Sequence, residues 1–573
     1  MKLESCDILK FARKVYKSDL GTGDSILSLS TYNQVSMWWT SDTLFFDYLR
    51  KSMGCLNASR GLPKWFVKYT ASSLYKYVGI YFELFYDFSM RVILKMVLLL
   101  YGRHSFNTQS APSNGKILFI SQDRRWGVAE NELDGKSRKT DLFFDTILTQ
   151  LKKEHYDIIG IYPIDLYPIR GLKIYRDKLR FADYRHVPLN LYWDKNAWTE
   201  QKRSLKLFTN NWDRLKESKG LDQMMCLDGT NLKDIVMPEI SLYFHILYPH
   251  LVKYIQVARK MIQSEKPDLI VLLNEFFWWE RSLLIAAKME GVPTLAIQHG
   301  VISLQHKSYS YTKDEIDSTG NFRAPFCPIP DITLTYGPHE KVMLTRLSSY
   351  PAHSVVATGQ PRYDHLTQLR NLDSDAIKCL KRNYGLPEQS RIILWTTQCH
   401  GLSDSENKCN FSCMLNTLKQ LDNCVLVVKQ HPAEGLKYTH LIKEHIANSG
   451  VPAFLLPKDS NTNLLLLCCD LMITKNSTTA IEALILGKPV IVLNLSGEPD
   501  AVNYVEIGVA KGVYREEDLL LSIKELLETK FPKADVREKY LNKYICGLDG
   551  SATQNIIKEI TDCLNKNGRG GNR

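Results

Sequence analysis

Four places in the chain carry residue types and spacings suited to moving a phosphorylated group. The densest is Asn476-Ser477-Thr478-Thr479, with Glu482 about one turn further on. A polar run of this kind opens a helix, because its side-chain oxygens accept from amides that have no partner in the first turn. The remaining amides and the helix dipole attract an anion such as a phosphate. The Ser477 and Thr478 hydroxyls can add hydrogen bonds to it, and Glu482 is placed to accept from ribose hydroxyls. The plain alternative is an ordinary capped crossover with an exposed Glu.

His299-Gly300 is the second place. A histidine titrates near neutrality and serves as a general base, and glycine lets the backbone approach a ligand closely. The alternative is a histidine that bonds loop backbone and orders a turn. Glu275 is the third place and the rival base; its alternative is a carboxylate facing the amino end of its own helix. Arg281, on that helix, can pair with Glu275 or meet a phosphate of the acceptor. His431 is the fourth place, left at a strand end by Pro432.

The surrounding patterns say which elements position these groups. Leu471–Ile473 is a short apolar run, as in a buried parallel strand. Ile481, Leu484 and Ile485 recur at helical spacing before Gly487 and Pro489 stop the helix, and Val490–Leu493 returns to the sheet. Leu269–Leu273 and Thr294–Gln298 are strands flanking a helix from about Trp278 to Glu290, so Glu275 and His299 reach one sheet rim. Lys116–Ser121 and Asp157–Tyr162 are further strands of that half, flanking a helix near Thr140–Lys153. The loop between them is basic, and Arg124 and Arg125 are candidates for an anionic acceptor. Ile332–Tyr336 and Val355–Thr358 complete the half. Arg391–Thr396 and Cys424–Lys429 open a second one, with a helix around Cys413–Gln420 between them. Residues 301–330 read as a mobile polar loop able to cover substrate. Residues 165–245 have poor periodicity and read as helices and loops. Near residue 362 the pattern reads as a turn with an Arg362–Asp364 contact.

Composition narrows the class. With 44% hydrophobic and 24% charged residues, 573 residues are enough for two or three globular domains. The formal net charge of +11 is spread along the chain and favours anionic ligands or a membrane surface; nothing points to nucleic acid. Thirteen Cys without a CxxC pair argue against a zinc site, and with no export signal they suit a reducing compartment. No stretch reaches the ~20 apolar residues that span a bilayer. The segment Tyr77–Arg103 reads as one long helix. Glu83, Asp87, Arg91 and Lys95 form a charged stripe on it and the rest is Phe, Tyr, Leu, Val and Met. It is either packed on the protein with one wet edge or a membrane-surface helix.

The segments QHG at 298–300, QHP at 430–432 and NSTTAIEALILGKPV at 476–490, each closing a strand, resemble the GT-B glycosyltransferase superfamily. The likeness extends to surface-polysaccharide transferases, UDP-N-acetylglucosamine 2-epimerases, CDP-glycerol glycerophosphotransferases and bacterial sialyltransferases, over about residues 115–565. TG-x-PR-x-D at 358–364 and DG-x-A at 549–552 are also similar to these families. The resemblance implies an α/β fold of two Rossmann-like, doubly wound domains facing a crevice, behind a mainly helical N-terminal extension. The divisions expected are 1–112, 113–364 (with an insertion at 165–245), 365–530, crossing-back helices at 531–565 and a disordered tail at 566–573. It implies that His431 contacts donor phosphate, where a protonated imidazole steadies the leaving group. Asn476, Ser477, Thr478, Thr479 and Glu482 complete the donor site, with His299 or Glu275 as base.

The function expected is metal-independent glycosyl transfer from a nucleotide-sugar donor, with UDP or CMP/CDP unresolved and no cofactor. The acceptor would be a glycan or a lipid-linked hydroxyl at the cytoplasmic membrane face. Glycerol phosphate transfer from CDP-glycerol and 2-epimerisation of a UDP-sugar are alternatives on the same fold. A non-catalytic part of a polysaccharide assembly complex is another.

Overall fold

A computed structural model describes residues 5–52, 79–102, 113–120, 126–130, 137–164, 168–300, 302, 307–370, 372–398, 402–431, 434–500, 502–529 and 531–568. Two parallel sheets organise the chain. The first has strands β1 (Lys116–Ile120), β2 (Asp157–Tyr162), β3 (Arg185–Pro188), β4 (Leu269–Leu272), β5 (Thr294–Ile297), β6 (Ile332–Thr335) and β7 (Val355–Ala357). Their spatial order is 7-6-5-4-1-2-3, with every neighbour parallel. The second has β8 (Arg391–Thr396), β9 (Cys424–Lys429), β10 (Ala453–Leu455), β11 (Leu471–Thr474), β12 (Val490–Leu493) and β13 (Lys511–Val513), ordered 10-9-8-11-12-13 and again parallel.

Strands buried on both faces must be apolar throughout, and β4, β9, β11 and β12 are buried at every position. In each sheet the order reverses once, between β1 and β4 and between β8 and β11. Such a switch point opens a crevice at the strands' carboxyl ends, where doubly wound folds bind ligands. The architecture is the expected α/β, GT-B-like pair of Rossmann-like lobes.

The N-terminal residues are helical, with Ser5–Lys17 and Asp42–Ser52 around a two-stranded turn at 31–36. Their core residues, including Phe11, Trp38, Trp39 and Phe45, belong to the same apolar cluster as Leu118, Ile161 and Ile270 of the first sheet. At the other end, the helix Ala552–Gly568 returns to the first lobe, packing Ile556, Ile557 and Ile560 with Ile117, Leu269 and Leu295. Asp364 fixes its amino end by accepting from the amides of Ala552 and Thr553 at 2.9 and 2.8 Å. Close approach there needs small residues. A Cβ on Gly337 would lie 2.2 Å from Tyr544 backbone, and one on Gly359 would lie 2.4 Å from the Cys546 carbonyl oxygen.

Several expectations shift. The contact expected between Arg362 and Asp364 is not formed: Arg362 pairs with Glu482 at 2.8 Å, leaving Asp364 to the terminal helix. Residues 307–328 are not a loose cover. Glu315 is fully enclosed between Lys307 (3.1 Å), Lys17 (3.0 Å) and Arg13 (3.3 Å), and Trp39 donates to the Pro325 carbonyl at 2.9 Å. Burial would raise the Glu315 carboxyl, but Lys307, Arg13 and Lys17 outweigh it and hold the group down to about 2. Five positions of that loop, 301 and 303–306, lie outside the described residues.

Candidate active site in the interlobe crevice

In the second lobe the switch-point loops are tied together. Thr397 and Gln398 continue from β8 and Lys475–Thr478 from β11. Gln398 Oε1 accepts from the Asn476 amide at 2.7 Å and from the Thr474 hydroxyl at 3.4 Å. Ser477 Oγ then accepts from the Thr479 amide at 3.1 Å and donates to Thr479 Oγ1 at 2.9 Å. The helix Thr479–Ile485 is short, seven residues, and its first turn closes on the Ser477 and Thr478 carbonyls. Of the turn's amides, those of Ser477 and Thr478 have no acceptor among the described residues. Residues 475–479 are all half-buried, so their polar atoms can be reached. Tyr504 supports the turn from behind, donating to the Ser477 carbonyl at 3.3 Å.

Glu482 is less available than the sequence suggests. It is 7% exposed and its carboxylate holds Arg362 across from the first lobe's last turn. The pair joins residues 120 apart in the chain and so ties the helix after the 475–479 turn to the interlobe passage. His431, half-buried, ends β9 next to a braced segment. The buried Glu434 carboxylate accepts from the Thr397 hydroxyl at 2.9 Å and from Gln430 Nε2 at 3.3 Å, joining the ends of β8 and β9. Residues 432 and 433 lie outside the described residues.

Beside the turn lies a cavity of about 240 Å³ lined by Ser405, Asn410, Lys475 and Ser496, with Leu402 and Leu495 as apolar walls. Lys475 donates to Ser496 Oγ at 3.0 Å, and burial pulls its ammonium below the usual lysine range. Neither Lys475 nor Gln398 is singled out by sequence. The available signal is position: Lys475 follows directly on β11 and Gln398 stands two residues past β8, both beside the switch point.

In the first lobe the rim is built differently. His299 follows β5 and is half-buried, its ring 6.1 Å from that of Phe276. The turn around it is ordered by Gln298, which accepts from the Tyr336 amide at 2.7 Å and donates to the Gly300 carbonyl at 2.8 Å. Glu275 is 1% exposed; the Tyr350 hydroxyl donates to one oxygen and Thr333 Oγ1 to the other at 3.1 Å. Burial raises its carboxyl above the usual range, against the pull of Tyr350 and Arg281. This group is enclosed among β6 and the 350 segment, so the open crevice base expected from sequence is not what Glu275 provides. Arg281 is likewise corrected: its guanidinium is fully buried and donates to Tyr311 Oη at 3.0 Å, to the Pro328 carbonyl and to Cys327 Sγ. With no exposed surface, Arg281 does not present its guanidinium to the crevice. Arg124 and Arg125 lie outside the described residues. Of the basic loop's other cations, Arg138 pairs with Asp145 at 2.8 Å and Lys139 with Asp177 at 3.0 Å. Among the described residues, no three His, Cys, Asp or Glu side chains gather as a metal-binding group.

Comparison with known proteins gives a family match over residues 246–562, more than half of the chain, to "CDP-Glycerol:Poly(glycerophosphate) glycerophosphotransferase". Among curated proteins no sequence matches. Similar solved structures include a glycosyltransferase from Rickettsia africae, at 15% identity and a TM-score of 0.44, covering 79% of this chain and 99% of that one. A UDP-GlcNAc 2-epimerase from Neisseria meningitidis gives 15% and 0.44, covering 78% and 99%. The wall teichoic acid polymerase TagF gives 13% and 0.44, covering 86% and 98%.

Proposed function

The chain belongs to the CDP-glycerol:poly(glycerophosphate) glycerophosphotransferase family, and from that premise we propose that it transfers glycerol phosphate from CDP-glycerol to a hydroxyl acceptor. The observation that carries the reading is the extent of the family match. Running from residue 246 to 562, it takes in His299, His431 and the 475–479 turn together.

In this reading the donor's phosphates rest against Ser477 and Thr478, whose amides and hydroxyls donate to them. His431 and Lys475 offset the charge that grows on the leaving nucleotide. The acceptor hydroxyl approaches from the first lobe, and His299 takes its proton as the oxygen attacks the glycerol-bearing phosphorus. The P–O bond to CMP breaks, and CMP leaves with the electron pair. Glu275 and Arg281 have no direct part; they hold the 309–350 segment around the base. Glu482, through Arg362, holds the donor turn against the other lobe and is not assigned to the ribose.

Sugar transfer from a nucleotide sugar is kept as a second reading for one reason. The cavity beside Lys475 presents hydroxyl and amide groups of Ser405, Asn410 and Ser496, which suit a polyhydroxy group of either kind. Both readings are metal-independent and place a lipid-linked or glycan acceptor, with the protein at the cytoplasmic membrane face, in the synthesis of a surface polymer.

The test is nucleotide release. The full-length protein is incubated with CDP-glycerol, or with CMP-, UDP- and GDP-sugars, with and without EDTA and a polyol-phosphate acceptor. Acceptor-dependent CMP release from CDP-glycerol, unchanged by EDTA, is expected. Release from a nucleotide sugar alone moves the assignment to the second reading. Epimerised sugar without nucleotide release, or no turnover of any donor, overturns both.

A further inference from the structure

The helix Ile80–Tyr101 carries its polarity the unusual way round. Its acids face the protein. Asp87 meets Lys253 Nζ at 2.7 Å, and Glu83 accepts from Lys253 at 3.0 Å and from Gln201 at 2.7 Å. Met90 and Leu94 pack with Ile164, Tyr175 and Leu179 of the first lobe. The sequence-predicted charged stripe is therefore the anchored side, in its acidic half at least. The wet side is apolar: Phe82, Phe85, Phe88, Met96, Leu99 and Leu100 are each more than half exposed, Leu99 at 77%. Monomeric proteins seldom leave so much contiguous apolar surface in water without a use for it.

The rim of this face is cationic. At one end Lys202 lies 5.5 Å from the Tyr81 ring and 4.7 Å from that of Trp198. At the other, Arg180 lies 6.0 Å from Tyr101 and 5.8 Å from Phe181. Lys95 is exposed on the helix itself, and on the adjoining helix Pro168–Phe181 the exposed Ile169 is followed by exposed Arg170 and Lys173. Aromatic rings capped by cations around an apolar stripe suit a boundary between hydrocarbon and anionic headgroups. Among the described residues no helix is long and apolar enough to cross a membrane.

We propose that the outward face of the helix Ile80–Tyr101 docks flat on an anionic lipid bilayer, with Lys95, Arg180 and Lys202 at headgroup level. Charge decides between this occupant and a second copy of the chain, because a two-fold dimer would set the same cations against one another. The inference deepens the membrane part of the proposed function, and its test reads partitioning, not turnover, so the two can fail separately.

The full-length protein is sedimented with phosphatidylcholine vesicles, with and without phosphatidylglycerol. Binding to the anionic vesicles that weakens with salt is expected. Phe85→Ser, Leu99→Ser and Leu100→Ser together should cut partitioning by at least about tenfold. Arg180→Glu with Lys202→Glu should remove the preference for anionic lipid. All five side chains face solvent or the rim, and an unchanged melting curve confirms that folding is intact. The proposal is overturned if the parent ignores both vesicle types or if the triple variant binds as well as the parent. It is also overturned if analytical ultracentrifugation shows a parent dimer that the triple variant dissociates.

Discussion

Both lobes set polar residues just beyond the carboxyl ends of parallel strands, and they use them in opposite ways. After β4, Glu275 is 1% exposed and both its oxygens are taken up by Tyr350 and Thr333; Arg281, on the helix that follows, is fully enclosed. After β11, residues 475–479 are all half-buried and two of their amides have no acceptor among the described residues. The difference lies in what covers each rim. The first lobe's rim is roofed by residues 307–328, which are fastened to Arg13, Lys17 and Trp39 of the N-terminal helical segment. The second lobe's turn is braced from behind by Gln398, Tyr504 and the Arg362–Glu482 pair, so its front stays accessible. Residue type at a strand end therefore nominates a site, and the covering segments decide whether it is scaffold or chemistry.

The contrast is sharpest where the roof is broken. Arg281→Met strips the Pro328 carbonyl and Cys327 Sγ of their charged donor in a dry interior and leaves the Tyr311 hydroxyl only its bond to the Ser308 carbonyl, at a cost of about 3 kcal/mol. A clear drop in the apparent melting midpoint is expected, with donor affinity retained in the folded fraction. An unchanged midpoint with lost acceptor affinity would return Arg281 to the binding site.

A second large effect concerns pH. Glu340 sits in the first lobe's helix Pro338–Val342, buried near Tyr504 and Tyr540 of the chain's later half, and burial pushes its carboxyl up to about 8. The unfolded chain ionises this group near 4.5 while the folded protein keeps it protonated, so stability falls as pH rises from about 4.5 to about 8 and then levels. Glu340→Gln lacks that loss. The variant should gain on the parent by about 2–4 kcal/mol over that interval; denaturation midpoints at pH 5 and pH 8 measure it, and parallel profiles would refute it.

Substitution in the open turn should act on affinity instead. Ser477→Ala with Thr478→Ala removes two hydroxyl donors from the proposed phosphate site. Donor dissociation should weaken about 5–30-fold, equivalent to about 1–2 kcal/mol, with a drop in melting no larger than the lost Ser477 bond to the Thr479 amide accounts for, about 1 kcal/mol. A large loss of stability with unchanged donor affinity would make the turn scaffold, like the other rim. The smallest effect is expected at Glu275→Gln, because the amide oxygen can still accept from Tyr350 while its NH2 donates to Thr333 Oγ1 in place of the second carboxylate oxygen. Transfer should stay within about threefold of the parent, whereas removal of a general base costs about 10²–10⁴-fold.

Much of the fold is legible in the sequence because buried parallel strands announce themselves as apolar runs. β1, β2, β4, β5, β8, β9, β11 and β12 all fall where those runs predict. The strands that escape are β3, β10 and β13, with three or four residues each and all at sheet edges, too short to show a period. The helix Asp404–Leu418 begins well before its apolar residues do; the signal was the Ser403–Glu406 capping box, which closes in both directions. The site was half legible. His299, His431 and the 476–479 turn stand at strand ends as expected. The burial of Glu275 and Arg281 was not readable, because the residues that cover them come from 5–52 and 307–350, remote in sequence. The Arg362–Glu482 pair has the same cause.

The most direct test of the account is single-turnover transfer in His299→Ala at saturating donor, with donor affinity measured on the same sample. A rate lower by about 10²–10⁴ with affinity unchanged is predicted, because the proposed mechanism assigns the imidazole to the acceptor and the turn at 475–479 to the donor. Transfer at the parent rate would contradict it.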